Sequence, residues 1–422
     1  MRILALVTGD PFGPRTFSGS VRHLLLAMRQ RGSLAAAENV ELPKIYRRIE
    51  RLKYQILTRR IEAAKVLCDW SGRAIAARSA RANVKLMKRS VMNGGADAVL
   101  MYGTNFFPSD ATEKLKLPVG AAMDATFAQI AQSRESWFAD LTPGEIDECV
   151  ERQRKIFNKC EYLFPRTAWC ARSLASDYGI RREKLVITGA GSNLEHAPGE
   201  RSGYDMKTIL FVGRDWERKH GPAVVEAFRI AKKKAKLSKL TKEALQLVII
   251  GPRVSGVREE GIEWVGPLDG DDRSELAHWY HRASLLLCPS RFEPFGIVIL
   301  EAMASGCPVI ALDRGAAREI IVHNVTGSLV ERADPELLSN EILAWLTDER
   351  RCAEAGRAAQ RRAAENYSWQ IAASKIESAF GGSPEPVSEE SLQIVELEPI
   401  PKSLRSPNLI IHPHRLRYNS SE

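Results

Sequence analysis

Two carboxylates stand eight residues apart around a Pro and a Gly in Arg291-Phe292-Glu293-Pro294-Phe295-Gly296-Ile297-Val298-Ile299-Leu300-Glu301-Ala302-Met303-Ala304-Ser305-Gly306. The stretch predicts a loop feeding a buried helix that starts near Gly296 and stops at Gly306. Glu293 then lies in the loop, and Glu301 about a turn and a half inside the helix at roughly 3.6 residues per turn, so both can face one cleft. The first amides of such a helix, at Phe295, Gly296 and Ile297, lack an intrahelical acceptor. With the helix dipole they suit a phosphate or a sugar hydroxyl. Carboxylates repel phosphate and instead suit a polyhydroxylated group carried by one. Taken alone, Glu293 reads equally as a helix-dipole partner and Glu301 as a partly exposed helix residue.

A second cluster follows an apolar run from Lys207 to Val212: Gly213-Arg214-Asp215-Trp216-Glu217-Arg218-Lys219-His220-Gly221. A third is Ser18-Gly19-Ser20, between a first strand (Arg2 to Thr8) and a helix that stops at Gly32. A fourth is Gly251-Pro252-Arg253 at the end of the strand Gln246 to Ile250, the end at which α/β folds hold nucleotides. Asp124 ends a strand from Leu117 to Met123 and taken alone reads as a helix N-cap. His220 reads as a capping or packing residue.

The Glu-x7-Glu string, continued by Ala-Met-Ala-Ser-Gly-Cys-Pro-Val-Ile-Ala, resembles the family 4 (group 1) retaining glycosyltransferases of the GT-B fold. The resemblance implies two Rossmann-like doubly wound parallel-sheet domains facing a cleft. It implies transfer of a sugar from a nucleotide diphosphate sugar to an acceptor hydroxyl with retention, without metal or other cofactor. Carried over by match, Arg214 and Lys219 clamp the donor diphosphate, Glu293 touches the donor sugar and Glu301 the ribose. Phe295 and Gly296 offer amides, Ser18, Gly19 and Ser20 lie against the diphosphate, and Asp124 orients the acceptor; apart from the resemblance, the helix-start amide of Ile297 joins them and the strand-end place of Arg253 suits base or phosphate. A nucleotide-sugar epimerase or a non-catalytic binder of anionic surfaces are the rival classes.

These residues must be positioned by a chain of 422 residues, too long for one ordinary core. The expected division is a first Rossmann-like domain over 1–192, a donor-binding domain over 193–366, a terminal helix crossing back over 367–380, and a mobile tail over 381–422. Repeated strand, loop and helix units in both halves imply parallel sheets. The first sheet is expected to end in a strand from Lys184 to Thr188, and the start of a helix is written out at Thr142-Pro143-Gly144-Glu145. A helical insertion over about 44–93 interrupts the rhythm; from Lys44 to Arg89 it carries 14 basic and three acidic residues. It reads as a solvated face or as a surface for an anionic acceptor or membrane.

Lys and Arg number 61 against 52 Asp and Glu, a formal charge of +9, which favours an anionic partner without choosing one; nucleic acid is the least expected. Seven cysteines, with no C-x-x-C pair, read as free thiols in a reducing compartment. No apolar run reaches a membrane span and Gly9-Asp10-Pro11 breaks the first one early, so a cytoplasmic protein is expected, at most peripheral at the inner membrane face.

Overall fold

The computed structural model describes residues 1–41, 95–103, 115–133, 141–194, 203–238, 244–268 and 273–392, with residue 201 and short pieces between 48 and 60. The insertion over 44–93 therefore lies almost wholly outside the described residues, as does 393–422. Elements are numbered in chain order among the described residues.

The first sheet is parallel in the order β2-β1-β3-β4-β5. Its strands are β1 (Ile3–Val7), β2 (Leu34–Asn39), β3 (Ala98–Tyr102), β4 (Val119–Met123) and β5 (Tyr162–Pro165). Strands β1, β3 and β4 are buried at every residue, as expected of a sheet covered on both faces. Around it stand α1 (Ser20–Gln30), α2 (Phe127–Gln132), α3 (Pro143–Lys159) and α4 (Ala168–Ser176). Helix α3 begins as its sequence dictates: Thr142 and Glu145 form a reciprocal capping box with Pro143 in the first turn.

The second sheet is also parallel, in the order β11-β10-β9-β6-β7-β8. It comprises β6 (Thr208–Val212), β7 (Gln246–Ile250), β8 (Ile262–Trp264), β9 (Leu285–Cys288), β10 (Val309–Leu312) and β11 (Gly327–Val330). Its helices are α5 (Gly221–Ser238), α6 (Ser274–Arg282), α7 (Ile297–Ala304), α8 (Ala317–Ile320), α9 (Pro335–Leu346) and α10 (Glu349–Asn366). Helix α11 (Trp369–Phe380) then returns to α1. Glu377 there takes Arg31 at 2.8 Å and Ser33 Oγ at 2.6 Å, and the Phe380 ring meets Phe164 at 5.5 Å.

Two expectations are corrected, and one strand is new. Strand β2 was not expected, because Leu-Ala-Ala-Ala-Glu-Asn lacks β-branched residues; its pairing with β1 supplies what propensity does not. Residues 184–188 form no regular strand but run beside β5: after a short 3-10 turn (Arg182–Lys184), Val186 and Thr188 donate their amides to the Leu163 and Pro165 carbonyls, both at 3.0 Å, and the chain bends away at Gly189. The chain beyond Gly381 continues as an ordered segment to Leu392. Val387 is buried and donates its amide to the Leu185 carbonyl at 2.9 Å, and α12 (Glu389–Leu392) packs on α4.

Six of the cysteines are buried free thiols; Cys68 lies outside the described residues. Among the described residues no helix is long and apolar enough to cross a membrane.

Candidate active site

The carboxyl ends of both sheets border one cavity of about 610 Å³. Helix α7 opens beside it at Gly296, whose φ of 82° lies in the left-handed region; a Cβ there would meet Ile299 Cδ1 at 2.8 Å, so glycine alone fits the turn. The helix is strongly apolar because it is buried at Ile299, Leu300, Ala302 and Met303, and Glu301 is the one charge carried in with them.

Both carboxylates face the cavity, in different surroundings. Glu293 accepts from Lys219 Nζ at 2.9 Å and Ser290 Oγ at 3.0 Å, with Arg218 at 3.7 Å. Burial opposes its charge, but Lys219 and then Arg218 outweigh burial and hold the carboxyl below its ordinary value. Burial likewise penalises Lys219, and Glu293 more than compensates, so the ammonium titrates higher than usual. Gly213 makes room for this pair, since a Cβ there would lie 2.2 Å from Lys219 Cδ.

Glu301 is 1% exposed. Its two oxygens take Arg273 Nη1 and Tyr280 Oη, the latter at 3.0 Å. Here burial wins over both partners, and the carboxyl is raised above its ordinary value. The Tyr280 hydroxyl is pushed up too, by burial and then by Glu301.

The first sheet's contribution is a strained loop and a buried arginine. Phe17 and Ser18 adopt left-handed φ of 47° and 57°, at a cost of about 1–2 kcal/mol per residue. The loop is held by the Phe17 ring, edge-on to Tyr102 at 4.8 Å, and by the Ser18 carbonyl, which accepts from Asn193 Nδ2 at 2.9 Å and Arg273 Nη2 at 3.1 Å. Gly19 caps α1, and Ser20 in its first turn is 1% exposed with an Oγ that has no partner.

Asp124 lines the cavity and does not cap α2; that cap is Thr126, in a capping box with Gln129. Asp124 instead accepts from Arg166 Nε at 2.9 Å and Tyr102 Oη at 3.1 Å. Arg166 is 4% exposed and sits among the rings of Tyr102, Phe295 and Trp369 at 5.5, 5.5 and 5.2 Å. That cage joins β3, the loop before α7 and α11.

The cavity lining thus collects Ser18, Ser20, Asp124, Arg214, Lys219, Glu293, Phe295, Gly296, Ile297 and Glu301. Arg214 is exposed there with no carboxylate partner among the described residues. Gly19 is buried just behind the lining, within reach of Arg273. Arg253 is exposed and outside the lining: its loop ends the strand as expected, but the side chain is not brought to the cavity. His220 packs, with Nδ1 at 2.7 Å from the Pro289 carbonyl.

Sequence reasoning missed Arg273, Tyr280, Arg166 and Arg218. Arg166 carried a signal, as a charge directly following the buried strand Tyr-Leu-Phe-Pro. Arg273 carried none, because its partners are 255 and 28 residues away.

Two parallel-sheet α/β domains with a shared cleft at their strand ends define the GT-B class. Solved structures agree in fold. Sucrose-phosphate synthase from Thermosynechococcus elongatus superposes with a TM-score of 0.64 at 16% identity, covering 90% of this chain and 99% of the other. Anabaena HepE in complex with UDP-glucose gives 0.59 at 15%, covering 90% and 100%. Residues 195–362 match the family model of glycosyl transferases group 1. A D-inositol 3-phosphate glycosyltransferase of Thermobispora bispora is 29% identical over 248 residues, 54% of this chain and 57% of the relative. The chain thus spans less than two thirds of that relative's length.

Proposed function

We propose that the chain transfers a sugar from a nucleotide diphosphate sugar to an acceptor hydroxyl, with retention at the anomeric carbon. The observation that carries this reading is the convergence on one cavity of Glu301, the Lys219–Glu293 pair, unpaired Arg214 and the first turns of α1 and α7. Glu301 accepts the ribose hydroxyls and Glu293 a sugar hydroxyl. Arg214, Lys219 and the amides beside Gly19 and Gly296 meet the diphosphate, whose charge grows as the sugar bond breaks. Two cations in that role make a metal unnecessary. The C1–O bond to phosphate breaks and the acceptor oxygen bonds C1 on the same face. The acceptor proton ends on the departing diphosphate oxygen, while Asp124 orients the acceptor hydroxyl. The HepE complex with UDP-glucose makes a uridine diphosphate sugar the first donor to test.

The test incubates the protein, with chelator present, with a panel of nucleotide sugars and hydroxylated acceptors and analyses products by mass and anomeric configuration. A retained glycoside plus free nucleoside diphosphate is expected. A donor isomerised without acceptor would establish the epimerase instead, and an intact panel would remove the transferase reading. Peripheral association with an anionic membrane through 44–93 belongs to the same proposal.

A further inference from the structure

Arg273 stands at the entrance of α6 with a side chain 15% exposed, and its guanidinium holds two groups that belong to different domains. Nη1 donates to Glu301 of α7, and Nη2 donates to the Ser18 carbonyl at 3.1 Å. Ser18 lies in the strained turn that leads into α1 and ends one residue short of Ser20, whose buried hydroxyl faces the cavity unpaired. The planar fork of an arginine serves two acceptors at once; the ammonium of a lysine is a point charge on a flexible stem.

We propose that Arg273 is a positioning residue that ties donor recognition by Glu301 in the second domain to the closed, strained loop at Ser18 in the first. The inference rests on the donor role proposed for Glu301. One guanidinium favours the charged form of a fully buried carboxylate and aims it, and it also holds the loop that presents the start of α1 to the cavity. A donor that engages Glu301 therefore meets a first-domain loop already fixed in place, and loosening either contact loosens the other.

The groups that face Glu301 are Arg273 and Tyr280 from α6, Lys219 with its partner Glu293 from the two loops, and Cys288 of β9 behind Tyr280. From α1, His23 faces Arg273; its pKa is lowered to about 4, first by burial and then by Arg273 and Arg22, so it stays neutral near neutral pH. Glu301 is already raised by burial with Arg273 in place. Without Arg273 the remaining partners hold it less well, and protonation moves toward neutral pH.

Hydrogen exchange of the segment from Thr16 to Val21 in ligand-free protein gives the first reading. Arg273→Met is expected to speed exchange there by about tenfold or more while leaving β6 unchanged, and unchanged loop exchange overturns the proposal. Calorimetric binding of UDP-glucose, whose phosphates have no group titrating in this range, between about pH 8 and pH 6 gives the second. Wild-type affinity is expected to stay level, Arg273→Met to lose affinity as pH falls, and Arg273→Lys to regain the level profile without regaining loop protection. The added Glu301→Gln change is expected to abolish the slope in Arg273→Met. A level profile in Arg273→Met, or full rescue of both readouts by lysine, overturns the proposal. Failure of the wild type to bind any nucleoside diphosphate would sink the donor reading, and the loop exchange would still decide whether Arg273 holds Ser18.

Discussion

The loop ahead of α7 and the interior of α7 each hold one carboxylate of the same short motif, and the two surroundings push them in opposite directions. Glu293 meets an ammonium, a guanidinium and a hydroxyl and is held ionised below its ordinary range. Glu301, with one guanidinium and one phenol in a nearly dry site, is raised. Burial alone therefore does not set the behaviour of a cavity carboxylate; the number of cations that reach it does. Glu293 is suited to stay charged beside a reacting sugar, and Glu301 to gain stabilisation when hydroxyls arrive to hydrogen-bond it.

The contrast breaks most visibly at Lys219. Lys219→Ala leaves Glu293 with Arg218 and the Ser290 hydroxyl and, in the proposed reaction, removes a cation from the diphosphate's surroundings. It should lower kcat by roughly 10² to 10³, about 2.7–4 kcal/mol of barrier, in steady-state assays. It should also lower the melting temperature, since a buried charge loses its partner. Turnover near the wild-type value would take the Gly213 to Gly221 loop out of the reaction.

Glu301→Ala should act on binding instead. Losing hydrogen bonds to a charged acceptor costs about 1.5–3 kcal/mol, roughly 10- to 100-fold in donor KM, with kcat changed far less. Donor-varied kinetics would separate the two sites, and equal kcat losses in Lys219→Ala and Glu301→Ala would erase the difference between them.

Acid titration of stability sharpens the same comparison. A lowered folded pKa means that Glu293 stabilises the fold above the ordinary carboxylate value, about 4.3, and that this contribution disappears as pH falls through the folded value. Glu301 has the reverse sign: its raised value means that stability is lost as pH rises from about 4.3 through the folded value. Denaturant titrations of Glu293→Gln and Glu301→Gln across acid pH should therefore differ from wild type with slopes of opposite sign. Parallel slopes would contradict the assignment.

A smaller effect is expected across the cavity. Arg166→Met keeps much of the contact with Tyr102, Phe295 and Trp369 but frees Asp124 from its guanidinium. Acceptor kcat/KM should fall by about tenfold while donor KM holds, as for a group that aims an acceptor. Rescue by Arg166→Lys of stability but not of acceptor use would separate aiming from packing.

Legibility in the sequence followed the range of the interactions involved. The motif from Arg291 to Gly306, the capping box at Thr142 and the apolar strands are local, and each reads from a few adjacent residues. The strand read from Gln246 to Ile250 stands at those residues, and the one read from Leu117 to Met123 stands as Val119–Met123. Arg273 and Arg166 act through partners far away in sequence; nothing beside Arg273 announces this, and beside Arg166 only its place directly after a buried strand does. Asp124 was open between two roles because an Asp after a strand can cap a helix; the choice fell to Thr126, whose spacing to Gln129 completes the box. Strand β2 exists because β1 offers an edge, which no property of Leu34 to Asn39 records.

The central claim is that the cavity between the two sheets holds the nucleotide diphosphate of a sugar donor, with Glu301 on its ribose. Titration calorimetry of uridine diphosphate and other nucleoside diphosphates into wild type and Glu301→Ala measures this directly. Saturable binding at one site per chain, weakened by about 10- to 100-fold in Glu301→Ala, is the predicted result. No binding by any nucleoside diphosphate at millimolar concentration, or binding indifferent to Glu301, would contradict it.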